Sequence, residues 1–118
     1  MQFQTIEEKD SVTHVAVRGR INGADIAPPA DPLRHLLGPS AYEKNLVLHL
    51  ADAEYIDSMA VAWLVSCNKK FREGGGKMVL HSLHPSVMKI LRLLKIDTIL
   101  NIAPDAVAAH KVVRGEAS

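Results

Sequence analysis

The sequence predicts an α/β fold, in which a mixed, mostly parallel β-sheet is covered by about four helices. Two strand patterns at the N-terminus are followed by strands that alternate with helical patterns, an order that favours parallel pairing. Residues 46–50 are apolar at nearly every position, which is typical of a strand covered on both faces. The helical patterns carry apolar residues on one face only, as expected for helices that pack on a sheet.

Composition limits the possible functions. A chain of 118 residues is the size of one domain, and we expect residues 1–118 to form it. The net charge of +1 argues against a general nucleic-acid binder, which would have a basic excess. Cys67 is the single cysteine, which excludes an internal disulfide and favours a reducing compartment. The sequence shows no signal-peptide pattern and no apolar run of about 18 residues, so we expect a cytoplasmic protein without membrane insertion.

The N-terminal elements follow from alternation and from turn residues. Residues 3–6 predict a weak strand, residues 7–11 a charged turn, and residues 13–18 a β-branched strand that ends at Gly19. Asn22–Gly23 is a turn signal. Three prolines then exclude a long helix and leave a short one over residues 33–37: Pro28, Pro29 and Pro32.

Residues 59–73 form the clearest helical pattern. Its apolar residues recur with helical spacing at Ala60, Leu64, Cys67 and Phe71. Three glycines end it, Gly74, Gly75 and Gly76; they follow a helix rather than a strand and therefore do not form a phosphate-binding loop.

The remaining elements continue the alternation. Residues 77–81 predict a strand, and Pro85 is a natural first residue for the next helix. We expect that helix to bury Val87, Ile90, Leu91 and Leu94. A short strand within residues 96–102 and a helix opened by Pro104–Asp105 complete the chain.

Asp57 and Ser58 stand where the strand at 46–50 leads into the long helix. A helix start offers free backbone N–H groups and a partial positive charge, so Ser58 could be a helix cap, a phosphorylation site or a docking point. Asp57 could stabilise the helix dipole or position Ser58 for a partner. The same helix start could also hold a nucleotide phosphate or another anion. The apolar residues that follow either pack inside or form an exposed patch for a partner: Met59, Val61, Ala62 and Trp63.

Catalytic and metal-binding patterns are missing from the sequence. Six histidines lack the spacing of a metal site, although His49 and His81 fall on adjacent parts of the predicted sheet. Cys67 lies on the inner face of its helix and is expected to be an inert thiol. No hydrolase motif is present. We therefore expect a protein that is not an enzyme and needs no cofactor.

The order of elements and several short motifs resemble the STAS domain family, which includes bacterial anti-sigma factor antagonists and the cytoplasmic domains of sulfate transporters. The resemblance spans roughly residues 12–108 and is carried by residues 19–22, Asp57–Ser58, residues 74–77 and residues 84–87. It implies a STAS fold and a regulatory module that binds an anti-sigma factor, which is also a serine kinase of the GHKL type. Phosphorylation of a hydroxyl at the helix start would break that complex.

The resemblance implies a partner-binding site at Asn22, Gly23 and the residues 57–63, with Ser58 as the phosphorylation candidate. Met59 stands where the family motif usually has its second hydroxyl, so that a phosphorylation switch would depend on Ser58 alone. Alanines replace the two motif glycines, Val61 replaces a leucine, and Asn22 replaces an acidic residue. An alternative is therefore a STAS scaffold, or an accessory domain of a transport system, that works without phosphorylation.

Overall fold

The second strand of the sheet is long enough to pair with two parallel neighbours in turn. The computed structural model describes residues 2–26 and 30–115. In it, β2 (Val12–Ile21) pairs antiparallel with β1 (Gln2–Lys9), then in parallel with β3 (Asn45–His49) and, beyond Gly19, with β4 (Ala53–Ile56). Gly19 has a φ of 89°, a conformation that favours glycine, at the irregularity where β2 leaves β3 for β4.

The sheet is completed by β5 (Lys77–His81) and β6 (Asn101–Ala103), in the order β1-β2-β3-β5-β6 with β4 beside β2. All pairs except β1–β2 are parallel, so the predicted mixed, mostly parallel sheet is confirmed. The described part of the chain has five α-helices, of which three have eight residues or more: α3 (Ser58–Gly74), α4 (Pro85–Leu93) and α5 (Ala106–Val113). The two short ones are α1 (Gly23–Ile26) and α2 (Pro32–Leu37).

Two apolar layers cover the two faces of the sheet. The α3 side contains the larger core, where Leu46, Leu48, Met78 and Leu80 of the strands meet Leu64 and Phe71 of the helix. The α5 side contains a smaller one, formed by Val12, Val47, Val79, Ala103, Ala109 and Val113. Because successive side chains of a strand point to opposite faces, the apolar run of residues 46–50 supplies both layers.

Several sequence predictions are confirmed. The inner face of α3 is buried as expected, and the helix ends at Gly75, whose left-handed conformation lets its N–H bond to the Phe71 carbonyl. The described short helix α2 lies where it was expected, whereas Pro28 and Pro29 lie outside the described residues.

Four details were wrong. Residues 7–9 continue β1, and the turn is confined to Asp10–Ser11. Gly23 begins α1 rather than lying in a turn. The strand β4 was overlooked because only four residues lie between the turn at residues 51–52 and Asp57. Leu94 is exposed because α4 ends one residue before it.

Candidate functional site

The starts of α1 and α3 lie side by side because two neighbouring parallel strands end together. Ile21 at the end of β2 pairs with Ile56 at the end of β4, and each strand is followed two residues later by its helix. The Asp57 backbone N–H donates to the Ile21 carbonyl at 3.2 Å, which extends this pairing to the helix start. The carboxyl ends of the two strands thereby bring Gly23 to the first turn of α3.

Asp57 is the N-cap of α3 and also holds α1 in place. Its side chain accepts from the Ala60 backbone N–H at 2.8 Å, and its two oxygens lie 2.9 and 3.0 Å from the Gly23 nitrogen. Ser58 is not the cap, contrary to one interpretation of the sequence. The extended backbone conformation of a cap belongs to Asp57, and Ser58 is the first helical residue. The carboxylate thereby takes up the Ala60 N–H, one of the groups that an anion at the α3 N-terminus would bind.

Gly23 lies against the backbone of α3. A Cβ atom added at Gly23 would lie 2.0 Å from the Met59 Cβ and 2.8 Å from the Ala60 nitrogen. No side chain fits in this space, so a residue other than glycine would force α1 away from α3. Asn22–Gly23 was recognisable as a turn signal, but nothing in the sequence indicated the close approach of the two helices.

The residues that follow Asp57 divide between core and surface. Ser58, Met59 and Ala62 are exposed, and Met59 is 54 % exposed to solvent. Val61 is 4 % exposed and packs in the larger core, so it does not contribute to an outer surface. The helix itself explains this, because Val61 lies one turn before Leu64 on the inner side while Met59 and Ala62 share the outer side.

Trp63 is half-buried and packs edge-to-face on Phe3 of β1, with ring centroids 5.9 Å apart. We define the α3-start surface as Asn22, Ser58, Met59, Ala62 and Trp63. A shallow groove lined by Met59, Ala62 and Trp63 continues from it toward Ile26, Asp31 and Lys70. Asn22 is half-buried at the edge of this surface.

An exposed pair of side chains near the ends of β2 and β4 was missed in the sequence. Tyr55 of β4 is exposed, and the Arg20 guanidinium lies 4.4 Å from the centre of its ring. These residues are register partners on β2 and β4, so only recognition of β4 could have brought them together. Ile21 and Ile56, the next residues of the two strands, pack in the larger core, so this pair projects from the opposite face of the sheet.

Elsewhere, Cys67 is buried, and burial raises the pKa of its thiol to about 12, in agreement with an inert role. Within the described ranges, no group of three or more His, Cys, Asp or Glu side chains is arranged to hold a metal ion. None of the helices in those ranges is both long and apolar enough to cross a membrane.

Comparison with known proteins identifies the family. The STAS domain model matches residues 4–109, and the chain belongs to the STAS domain family. The fold is similar to that of an anti-sigma factor antagonist from Mycobacterium paratuberculosis, with 23% identity and a TM-score of 0.74 over 96% of this chain and 95% of that one.

The anti-sigma factor antagonist SpoIIAA in its unphosphorylated form is 15% identical, with a TM-score of 0.71 over 99% of this chain and 100% of that one. Its phosphorylated form from Bacillus gives a TM-score of 0.64 at 12% identity over 94% of this chain and 99% of that one. The murine anion transporter Slc26a9 contains a similar fold, with 14% identity and a TM-score of 0.70 over 93% of this chain but 19% of the transporter.

Proposed function

We propose that this protein is a regulatory, non-catalytic module of the anti-sigma factor antagonist kind, which works in the cytoplasm. It binds an anti-sigma factor that is also a serine kinase of the GHKL type. The α3-start surface, with Gly23 and Asp57 as the groups that shape it, is the docking site. The observation that supports this most is the exposure of Ser58 and Met59 at a helix start fixed by the Asp57 carboxylate.

The chemistry of this surface suits a protein partner. Met59 is a flexible apolar side chain that adapts to different neighbours, and tryptophan is enriched among the residues that dominate binding energy. Asp57 fixes the backbone on both sides of the surface, so partner binding costs little conformational entropy there. Val61 supports the surface from within the core instead of contacting the partner.

We further propose that phosphorylation of Ser58 weakens binding. A phosphate would add nearly two negative charges next to Met59 and the Asp57 carboxylate. Docking of an apolar partner surface would then require desolvation of these charges, and the phosphate and the carboxylate would repel each other. The Ser58 side chain is exposed and therefore accessible to a kinase.

The test begins with a pull-down from native lysate, in which the captured kinase is identified and the mass of the bait is measured. Binding of the purified kinase is then compared for wild type, Ser58→Ala and Ser58→Glu by calorimetry. We expect Ser58→Ala to bind like wild type and Ser58→Glu to bind at least about tenfold more weakly, which corresponds to roughly 1.4 kcal/mol.

Val107→Glu is the matched control for charge. Val107 is 68 % exposed in the first turn of α5, on the opposite face of the sheet, so this variant adds the same charge to a helix start away from Ser58. Equal affinities of Ser58→Glu and wild type would refute the switch, and equal losses in both glutamate variants would refute the assignment of the surface.

A second function is favoured by Met59. This exposed side chain cannot be phosphorylated, and alanines at positions 60 and 62 make the helix start stiffer than the glycines of the family motif would. These features fit a static scaffold or an accessory domain of a transport system. No mass increase after incubation with the captured kinase and ATP, together with unchanged binding, would favour this function over the switch.

A further inference from the structure

Four histidines lie together on the face of the sheet that α5 covers, away from the α3-start surface. His14, His49 and His81 project from three adjacent strands, and His49 pairs in register with His81. His110 reaches them from α5, and Asp10 meets it from the turn after β1. We define the histidine row as the three linked rings His110, His14 and His49.

The rings of the row are joined end to end by hydrogen bonds. Asp10 Oδ2 lies 3.0 Å from His110 Nε2, His110 Nδ1 lies 2.9 Å from His14 Nε2, and His14 Nδ1 lies 2.8 Å from His49 Nε2. Each contact between two ring nitrogens holds one proton, since one nitrogen must donate and the other accept. The Asp10 carboxylate accepts, so His110 Nε2 must carry a proton. This fixes the tautomers of all three rings, because each Nε2 then donates toward the Asp10 end of the row and each linked Nδ1 accepts.

Proton counting sets the capacity of the row. The neutral row carries three protons, one per ring, which serve the two ring–ring contacts and the contact with Asp10. A fourth proton can enter at His49 Nδ1, and a shift along the row can place the positive charge on His110 beside Asp10. A fifth proton would put two donors face to face across a contact, and the hydrogen bond there must break.

His81 extends the cluster without being able to share its charge. Its Nδ1 lies 2.8 Å from Ser82 Oγ, and its Nε2 is buried without a hydrogen-bond partner among the described residues. Its ring contacts that of His49, with centroids 4.1 Å apart. A proton added to His81 therefore places a charge next to His49 and leaves its Nε2–H without an acceptor among the described residues.

The charged groups around the cluster do not allow it to hold more than one additional proton. Glu7 and Lys9 on β1 have opposing effects on His14, Asp105 at the start of α5 favours a charge on His81, and Arg114 shares Asp10 with His110. Burial lowers the pKa of His14, His49 and His81, to about 4 for His49. Burial therefore favours the neutral form of the three strand histidines while α5 is packed on the sheet.

We propose that the histidine row and His81 form an acid-sensitive contact that holds α5 on the sheet and releases it when more than one proton enters. Besides this cluster, α5 is held by the small apolar layer that includes Ala109 and Val113, and by the ion pair between Arg114 and Asp10. Its release would uncover Val12, Val47 and Val79, so the device couples acidification to exposure of an apolar sheet face. Such local opening can precede global unfolding.

The test is hydrogen exchange of the whole chain by NMR, corrected for the intrinsic pH dependence of exchange. Between about pH 7 and about pH 5, we expect the protection of α5 amides to fall at least tenfold while that of α3 amides is retained. Parallel loss of protection in α3 and α5, or unchanged α5 protection at about pH 5, would overturn the proposal.

Two variants and a control separate the row from general acid sensitivity. Asp10→Asn removes the carboxylate that stabilises a charge on His110, and we expect α5 to open at a pH higher by about half a unit or more. His110→Gln removes the row member that α5 supplies, so the opening of α5 should become less dependent on pH. His35→Gln, in an exposed position on α2, should leave the opening pH unchanged. An opening pH that is the same in all four proteins would refute the role of the row.

Discussion

The Asp57 carboxylate binds the Gly23 backbone N–H with both of its oxygens, at 2.9 and 3.0 Å. The same side chain caps α3 by accepting from Ala60. One residue thus fixes the relative position of two helices that follow different strands. The α3-start surface, the proposed docking site, depends on this contact for its shape, because Asn22 lies at its edge only where α1 packs against α3.

Replacing Asp57 with alanine should therefore cost more stability than the loss of a helix cap alone. Asp105 offers a matched control, since its side chain caps α5 by accepting from Ala108 at 2.8 Å. We expect Asp105→Ala to lower the free energy of unfolding by about 1 kcal/mol, and Asp57→Ala to lower it by roughly 2 kcal/mol, because the Gly23 N–H also loses its acceptor. Urea denaturation measures both, and equal losses would contradict the additional role of Asp57.

Gly23→Ala should be more disruptive than an ordinary glycine replacement. The added Cβ would lie 2.0 Å from the Met59 Cβ and 2.7 Å from the Met59 carbonyl carbon, so either α1 or α3 must move. Gly75→Ala is the control, because Gly75 has a left-handed helical conformation and open space around an added Cβ. We expect a loss of about 1 kcal/mol for Gly75→Ala and a clearly larger loss for Gly23→Ala.

This replacement should also weaken partner binding, since the α3-start surface loses its edge at Asn22. Calorimetry with the captured kinase would measure the effect under conditions in which the variant is still folded. Unchanged affinity in a variant of reduced stability would show that α1 is not part of the docking site.

Local patterns were sufficient to predict the sheet and the long helices. The apolar stripe of α3 and the glycines after it placed that helix to within one residue at each end. The structure of residues 50–57 was not predictable in the same way, because β4 has only four residues and their burial does not alternate: the two end residues are buried and the two middle ones are exposed. Its identity as a strand depends on pairing with β2, which is a contact over more than thirty residues of sequence.

The candidate site shows the same division. The sequence located Asp57 and Ser58 at a helix start, but it could not decide which of them caps the helix, since either side chain can. It also could not separate Val61 from Met59, because one turn of a helix presents both an inner and an outer side. The histidine row was beyond prediction because His14 and His110 are ninety-six positions apart in the chain.

Val61 and Met59 should respond differently to truncation. Val61 is 4 % exposed in the core, whereas Met59 is 54 % exposed. We expect Val61→Ala to lower the free energy of unfolding by roughly 2 kcal/mol through lost burial, and Met59→Ala to change it by less than about 0.5 kcal/mol. Binding should show the reverse order, with Met59→Ala weakening the complex. A stable Met59→Ala variant with full affinity would remove Met59 from the docking surface.

Global stability should fall as the pH is lowered from neutrality, because burial lowers the pKa of His14, His49 and His81. In the unfolded chain these histidines bind protons near their ordinary pKa of about 6.5, so the unfolded state binds more protons than the folded state below that pH. Their contribution to stability is therefore complete above about pH 6.5 and is lost as the pH falls toward the folded pKa, about 4 for His49.

Urea unfolding at a series of pH values measures this slope, which can reach about 1.4 kcal/mol per pH unit for each histidine that titrates only in the unfolded state. His81→Leu is the informative variant, because it removes one titrating group together with a buried nitrogen that has no partner among the described residues. We expect a shallower slope below about pH 6.5 and no loss of stability at neutral pH. A slope equal to that of wild type would mean that His81 also titrates in the folded protein.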